Sequence, residues 1–233
     1  MTPEQLANNL EYVRDAIAQA AGRAGRSAQD ITLVAVSKTV PVDLVRMAYN
    51  LGVTNFGENR VQDALPKIGA FHPPEVRWHM IGHLQSNKAG KVSGAFAAVH
   101  SVDTLHLAQA LDRHAAEQGV QLTVLLQVNV SGEASKEGMS SSEALELARP
   151  IVALPHLRVE GLMTIAPLAQ NPEEVRPVFR QLRLLRDHLR DQLPQCDWQH
   201  LSMGMTDDYR VAIEEGATIV RIGRAIFGER VYT

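Results

Sequence analysis

Eight short runs rich in β-branched and apolar residues recur along the chain, and most are followed by a stretch with helical spacing. The runs are ITLVAVS, VTNFGE, VRWHMIG, FAAVHSV, LTVLLQVNV, LRVEGLMTI, WQHLSM and TIVRIG. ITLVAVS and LTVLLQVNV are nearly continuous apolar sequences, as burial on both faces of a parallel sheet requires. Between the runs lie amphipathic patterns. In VDLVRMAYNLG, Leu44, Met47, Ala48 and Leu51 share one helical face. In SSSEALELARPIVAL, Ser140 and Glu143 have the spacing of a capping box. Asn171 and Pro172 read as cap and first residue of another helix, with Pro177 bending it or delaying its start. Strands alternating with helices call for a parallel sheet wrapped by helices. Eight such units in 233 residues match a (β/α)8 barrel. A doubly wound open sheet usually carries a glycine-rich turn after its first strand, and here that strand ends in VSKTVP. The expected fold is therefore α/β, a single TIM-type barrel over residues 1–233, with an extra N-terminal helix. Thr2, Pro3 and Gln5 suit the start of that helix, and Leu6, Leu10, Val13, Ile17 and Ala20 its buried face.

Charge narrows the function classes. Lys and Arg number 23 against 26 Asp and Glu, so the chain lacks the basic footprint of a nucleic-acid binder. No apolar run is long enough to cross a bilayer, and the N-terminus has no continuous signal-peptide core. Cys196 is the only cysteine, which rules out an intramolecular disulfide and agrees with a reducing compartment. These features set the expectation of a cytoplasmic protein, monomeric for want of an extensive apolar face, with neither nucleic acid nor membrane as partner.

In such a barrel chemistry gathers at the C-terminal ends of the strands. The first strand ends in Ser37-Lys38, the second in Gly57-Glu58-Asn59, the seventh in LSMGMTDD and the eighth in Arg221-Ile222-Gly223-Arg224. Lys38 has two readings. One is an ordinary mouth lysine paired with Glu58. The other is a Schiff-base lysine, whose ammonium is disfavoured by low-dielectric surroundings so that a neutral amine can attack an aldehyde. In LSMGMTDD, Ser202 offers a hydroxyl, the turn at Met203 and Gly204 offers amides, and Thr206 reads as a helix cap. The plain alternative is a well-capped turn. Gly223 lets backbone approach a phosphate, and Arg221 projects from the strand, either toward a ligand or into a salt bridge with Glu58. Phosphate loops after the last two strands, together with a lysine on the first, point to a phosphorylated aldehyde, of which pyridoxal 5′-phosphate is the commonest cofactor. No metal is expected. His79 and His83 lack a ligand motif and read as satisfied or exposed. Trp78 and Trp198 read as core, and Lys88 and Lys91 as solvated.

The motifs AVSKT, FGEN, WHMIGHLQSNK, GLMTI, LSMGMTDD and VRIGRAIFG, in this order over nearly the whole chain, resemble the pyridoxal phosphate homeostasis protein family, whose barrel is that of the alanine racemase N-terminal domain. The resemblance implies that Lys38 forms the imine and that Arg221 faces the pyridine nitrogen. It implies that Asn59 neighbours the ring. It also implies that Ser202, Met203, Gly223 and Arg224 contact the phosphate, the last two through their backbone.

Arginine opposite the pyridine nitrogen has a consequence. A guanidinium cannot take up a proton at ordinary pH, so the nitrogen stays neutral and the cofactor is a weak electron sink. Racemases of this barrel type resemble two-domain proteins, and 233 residues leave no room for a second domain with an opposed acid/base. The expectation is a protein that holds and hands over pyridoxal phosphate, with cofactor-dependent apo-enzymes as possible recipients, and that does not turn over amino acids. The rivals are a racemase-like enzyme, an aldolase using Lys38 on a sugar phosphate, and a phosphosugar isomerase with Glu58 as base.

Overall fold

The computed structural model describes residues 1–133 and 136–229. Eight parallel strands close into a barrel in sequence order: β1 (Thr32–Val36), β2 (Asn55–Glu58), β3 (Arg77–Met80), β4 (Ala98–Val102), β5 (Leu122–Gln127), β6 (Leu157–Met163), β7 (His200–Ser202) and β8 (Ile219–Ile222). Each lies within one of the eight runs read from the sequence. β8 returns to β1 with Val34 beside Arg221 and Ala35 beside Ile222, so the first and last strands are neighbours.

Alternation along the strands sorts the side chains into two sets. Ala35, Phe56, Trp78, Met80, Val99, Leu126, Leu162, Leu201 and Ile222 point outward and join one large core with the surrounding helices. Val34, Leu125, Met163 and Ile219 point inward and form a small separate cluster in the lumen. The two tryptophans are buried core residues, as expected.

The helices are α1 (Pro3–Arg23), α2 (Val42–Asn50), α3 (Val61–Ala70), α4 (Leu105–Glu117), α5 (Ser141–Val152), α6 (Arg176–Gln192), α7 (Tyr209–Glu214) and α8 (Arg224–Phe227). Helix α1 begins with the capping box formed by Thr2 and Gln5, and α5 with that of Ser140 and Glu143. The extra N-terminal helix has a structural purpose. Since α8 has only four residues, it cannot cover its side of the barrel. α1 packs against α7, α8 and α2, filling the eighth helical position, and Asn9 Nδ2 donates to the Ile226 carbonyl at 2.9 Å.

Two local readings change and a third holds. Helix α3 forms where no helical pattern was singled out, and it accommodates Pro66 inside it at the loss of one intrahelical hydrogen bond. Asn171 is a cap as read, of a short 3-10 turn over Pro172–Val175, and α6 starts only at Arg176 with Pro177 in its first turn, the delayed start that Pro177 allowed. Thr206 does not cap α7. That helix begins after Asp208, whose Oδ1 accepts from the Met205 amide at 2.6 Å. Lys88 and Lys91 lie in a 3-10 helix, Ser86–Lys91.

Candidate functional site

Lys38 lies two residues beyond β1, half-buried, in phase with the inward-facing Val34. The next residue, Thr39, has φ 66°, so the chain turns sharply there. Val36, two residues before Lys38, touches the β8 end: a Cβ on Gly223 would lie 3.2 Å from the Val36 carbonyl oxygen. One small molecule can therefore span Lys38 and the Gly223–Arg224 turn. Among the described residues, neither the Gly223 nor the Arg224 amide has a backbone acceptor, which leaves both donors for an anion.

Glu58 does not belong to this mouth. It is fully buried on the outer side of β2, where its Oε1 accepts from Ser37 Oγ at 2.7 Å and from Lys67 Nζ of α3 at 2.8 Å. Lys67 also donates to the Ser37 carbonyl at 2.6 Å. This cluster ties the end of β1 to β2 and α3, and gives Glu58 a structural partner that neither sequence reading supplied. Asn59 follows at the β2 end, half-buried. Gly82 lets the β3 end close on it, since a Cβ there would fall 2.4 Å from the Asn59 carbonyl oxygen.

Arg221 is buried in the lumen. Its Nη1 donates to Ser202 Oγ at 2.7 Å and its Nη2 to the Thr164 carbonyl at 2.9 Å. Burial pulls its pKa down to about 10, with Asp208 opposing the fall, so it remains a cation at neutral pH. Ser202, also buried, meets His100 Nδ1 at 2.9 Å. Met203 points outward into the helical core, and its amide donates to the Ile219 carbonyl at 3.1 Å. It presents no free donor to the lumen. The Arg224 side chain is exposed and ion-pairs with Asp207, joining the β7 and β8 loops. His83 is exposed on the rim and pairs with Glu137, with Asp103 3.6 Å away.

A buried hydrogen-bonded chain that the sequence did not reveal crosses the barrel. His100 Nε2 lies 3.0 Å from His79 Nδ1, and His79 Nε2 lies 3.0 Å from Asn55 Oδ1. Burial holds both imidazoles neutral, lowering the pKa of His79 to about 3 and that of His100 well below the usual value. The chain starts at a polar cavity of about 390 Å³ at the opposite mouth, lined by Arg77, Arg158, Glu160 and His200 among others. The only signal in the sequence was the strand period of two: Arg77 and His79, then Ala98 and His100, occupy inward positions.

These histidines make stability pH-dependent with a definite sign. An unfolded histidine takes up a proton near pH 6.5, whereas folded His79 refuses it until about pH 3. The unfolded state thus binds more protons between those values, so stability is fully present above pH 6.5 and is lost as pH falls toward 3. Each such histidine contributes a slope of up to about 1.4 kcal/mol per pH unit. Urea midpoints at pH 7.5 and pH 5 should differ clearly, and replacing His79 with glutamine should flatten the difference. Equal midpoints in the parent protein would contradict neutral burial.

Known proteins share the fold and nearly the full length of the chain. Residues 6–231 match the family model described as "Alanine racemase, N-terminal domain". A pyridoxal phosphate homeostasis protein of Aquifex aeolicus is 45% identical over 223 residues, covering 96% of this chain and 97% of its own. That of Escherichia coli K12 is 44% identical over 233 residues, with 98% of each covered. PipY of Synechococcus elongatus, solved with pyridoxal phosphate bound, superposes with a TM-score of 0.85 at 36% identity, over 96% of this chain and 100% of PipY. An alanine racemase of Clostridium difficile shares the fold, with a TM-score of 0.75 at 16% identity over 98% of this chain and 60% of the racemase. Fold, family model and full-length similarity converge: this chain belongs to the pyridoxal phosphate homeostasis protein family, built on the alanine racemase N-terminal barrel.

Proposed function

We propose that this protein binds pyridoxal phosphate at the C-terminal mouth of the barrel and serves its intracellular homeostasis, without turning over amino acids itself. The observation that carries the reading is the contact of Val36 with Gly223, which sets the strand end that leads into Lys38 against the Gly223–Arg224 turn. The donor set fits the cofactor: an amine for the aldehyde, free amides for the phosphate, and a guanidinium inside the lumen for the ring nitrogen. Pyridoxal phosphate supplies an aldehyde that bonds to amines and a ring that withdraws electrons. The full-length likeness to PipY, which binds this cofactor, supports the same assignment.

The residues then divide the work. Lys38 would hold the cofactor through its amine, for which the aldehyde would supply the point of attachment. Gly223 and Arg224 hold the phosphate through their amides, and the Arg224 side chain braces the loop through Asp207. Asn59 flanks the ring. Ser202 and Met203 act indirectly here, Ser202 by holding Arg221 and Met203 by packing the strand from outside. Arg221 keeps its own proton, its pKa lowered only to about 10, so it would meet a ring nitrogen as a hydrogen-bond donor and would not protonate it. That leaves the ring a poor sink for electrons from an amino acid and favours custody over turnover. A racemase-like activity is the alternative, and the alanine racemase fold keeps it in view.

The test is a visible spectrum. Purified protein mixed with pyridoxal phosphate should turn yellow, and a competing amine should shift the band as cofactor is released. Incubation with free amino acids should yield no steady turnover. A protein whose spectrum is merely the sum of its parts would end the proposal, and sustained racemisation would replace it with the enzymatic alternative.

A further inference from the structure

We infer that His100, seated by His79, is a positioning residue that makes Ser202 a fixed acceptor for Arg221 and so aims the guanidinium at the cofactor ring. The inference rests on the reading that Arg221 faces the ring nitrogen. The argument comes from the direction of the hydrogen bonds. The Asn55 amide NH2 donates to Thr54 Oγ1 at 3.2 Å, which leaves Oδ1 turned to His79. A carbonyl oxygen only accepts, so His79 Nε2 carries the hydrogen at that 3.0 Å contact. A neutral imidazole has one N–H, so His79 Nδ1 accepts and His100 Nε2 donates, again at 3.0 Å. By the same rule His100 Nδ1 accepts, and the Ser202 hydroxyl spends its proton there at 2.9 Å. Ser202 Oγ is left with lone pairs only, and Arg221 Nη1 donates into one at 2.7 Å.

Asn55 is half-buried at the cavity, but the links beyond it are buried: His79 is 6% exposed, His100 and Ser202 0%, and Arg221 4%. At the Ser202 end water therefore has little access to substitute for a missing partner. With Nη1 on Ser202 and Nη2 on the Thr164 carbonyl, the guanidinium plane is fixed at two points. Its remaining hydrogens can meet only an acceptor, which in a pyridine is the unprotonated nitrogen. Ser202 could instead have offered its hydroxyl to a ligand, but His100 removes that option. A histidine that merely filled space would leave the serine proton free to rotate, and Arg221 would then have no guaranteed acceptor.

The experiment compares His100→Leu, His100→Gln, Ser202→Ala, Arg221→Met and Lys38→Ala, each with added pyridoxal phosphate, by absorption spectrum, dissociation constant and borohydride trapping. His100→Leu should keep the trapped adduct while weakening cofactor affinity about tenfold, the scale of a hydrogen bond to a charged group. Its band should move in the same direction as in Arg221→Met, and the double variant should add little. His100→Gln, which keeps a donor and an acceptor, should recover most of the parent behaviour. If His100→Leu does not fold, Ser202→Ala, which removes one oxygen, should give the same shift. Parent-like spectrum and affinity in folded His100→Leu or in Ser202→Ala would overturn the inference, as would full additivity with Arg221→Met. Failure of the underlying reading looks different: parent protein would then trap nothing, or Lys38→Ala would trap as much as the parent.

Discussion

Lys38→Ala is expected to abolish the borohydride-stable adduct with pyridoxal phosphate and the yellow colour with it, while leaving the protein folded. The side chain lies at the turn after β1, half-buried, so truncation removes little of the core. What disappears is the amine, and with it the covalent bond. Lys67, the nearby lysine of α3, cannot replace it, because its ammonium is held outside the barrel by Glu58 and the Ser37 carbonyl. The amides of Gly223 and Arg224 and the Arg221 guanidinium remain, so weak non-covalent binding should persist, with affinity lowered by more than about tenfold, or about 1.4 kcal/mol. Lys38→Arg separates charge from covalency. It keeps a cation at the mouth but presents no attacking amine, and it should trap no more than alanine does. Mass spectrometry after reduction reads the adduct directly. A full-strength adduct in either variant would place the reactive amine elsewhere and sink the assignment.

Why Lys38 could be picked out from the sequence, and His100 could not, is a matter of chemical range. The barrel was legible because its cause is local: apolar strands of three to seven residues alternate with amphipathic helices. Lys38, Arg221 and Gly223 could be singled out as candidates because strand ends are where a barrel exposes function, and because a lysine closing an apolar strand is chemically anomalous. Helix α3 was not among the patterns singled out; it contains Pro66, which local preference disfavours inside a helix, and it packs on β2. The histidine thread was hidden for another reason. Ser202 and His100 are 102 residues apart, and only closure of the barrel brings β7 across from β4. His79 was read as satisfied or exposed, and its buried partners bear out the first of these. Glu58 shows the opposite error. It sits next to Asn59 at a strand end and looks available to Lys38, but strand alternation turns it outward to Lys67. Thr206, read as a helix cap, instead accepts from the Ala225 amide at 3.5 Å, because the turn it occupies is longer than sequence spacing implied.

That outward cluster carries the second large effect. Lys67→Met is expected to destabilise the fold by about 3–5 kcal/mol, the range found when one partner of a buried ion pair is removed. Glu58 is completely buried, and the Lys67 side chain is only 14% exposed. Methionine matches the lysine stem, so the loss is not one of packing volume. It leaves a carboxylate in the protein interior with a single hydroxyl donor, that of Ser37. The Ser37 carbonyl simultaneously loses its contact with Lys67 at 2.6 Å. Since Ser37 immediately precedes Lys38, the turn that aims the reactive amine loses one of its anchors, and cofactor affinity should fall together with stability. Adding Glu58→Gln removes the stranded charge and should restore more than half of the lost stability, because a neutral amide costs less to bury than a carboxylate. It should restore less of the affinity, because the Ser37 carbonyl stays unanchored. Urea denaturation and cofactor titration of the single and double variants measure the two losses separately. A single variant within about 1 kcal/mol of the parent, well below the buried-pair range, would mean that water reaches Glu58 and that the pair is not what fixes the end of β1.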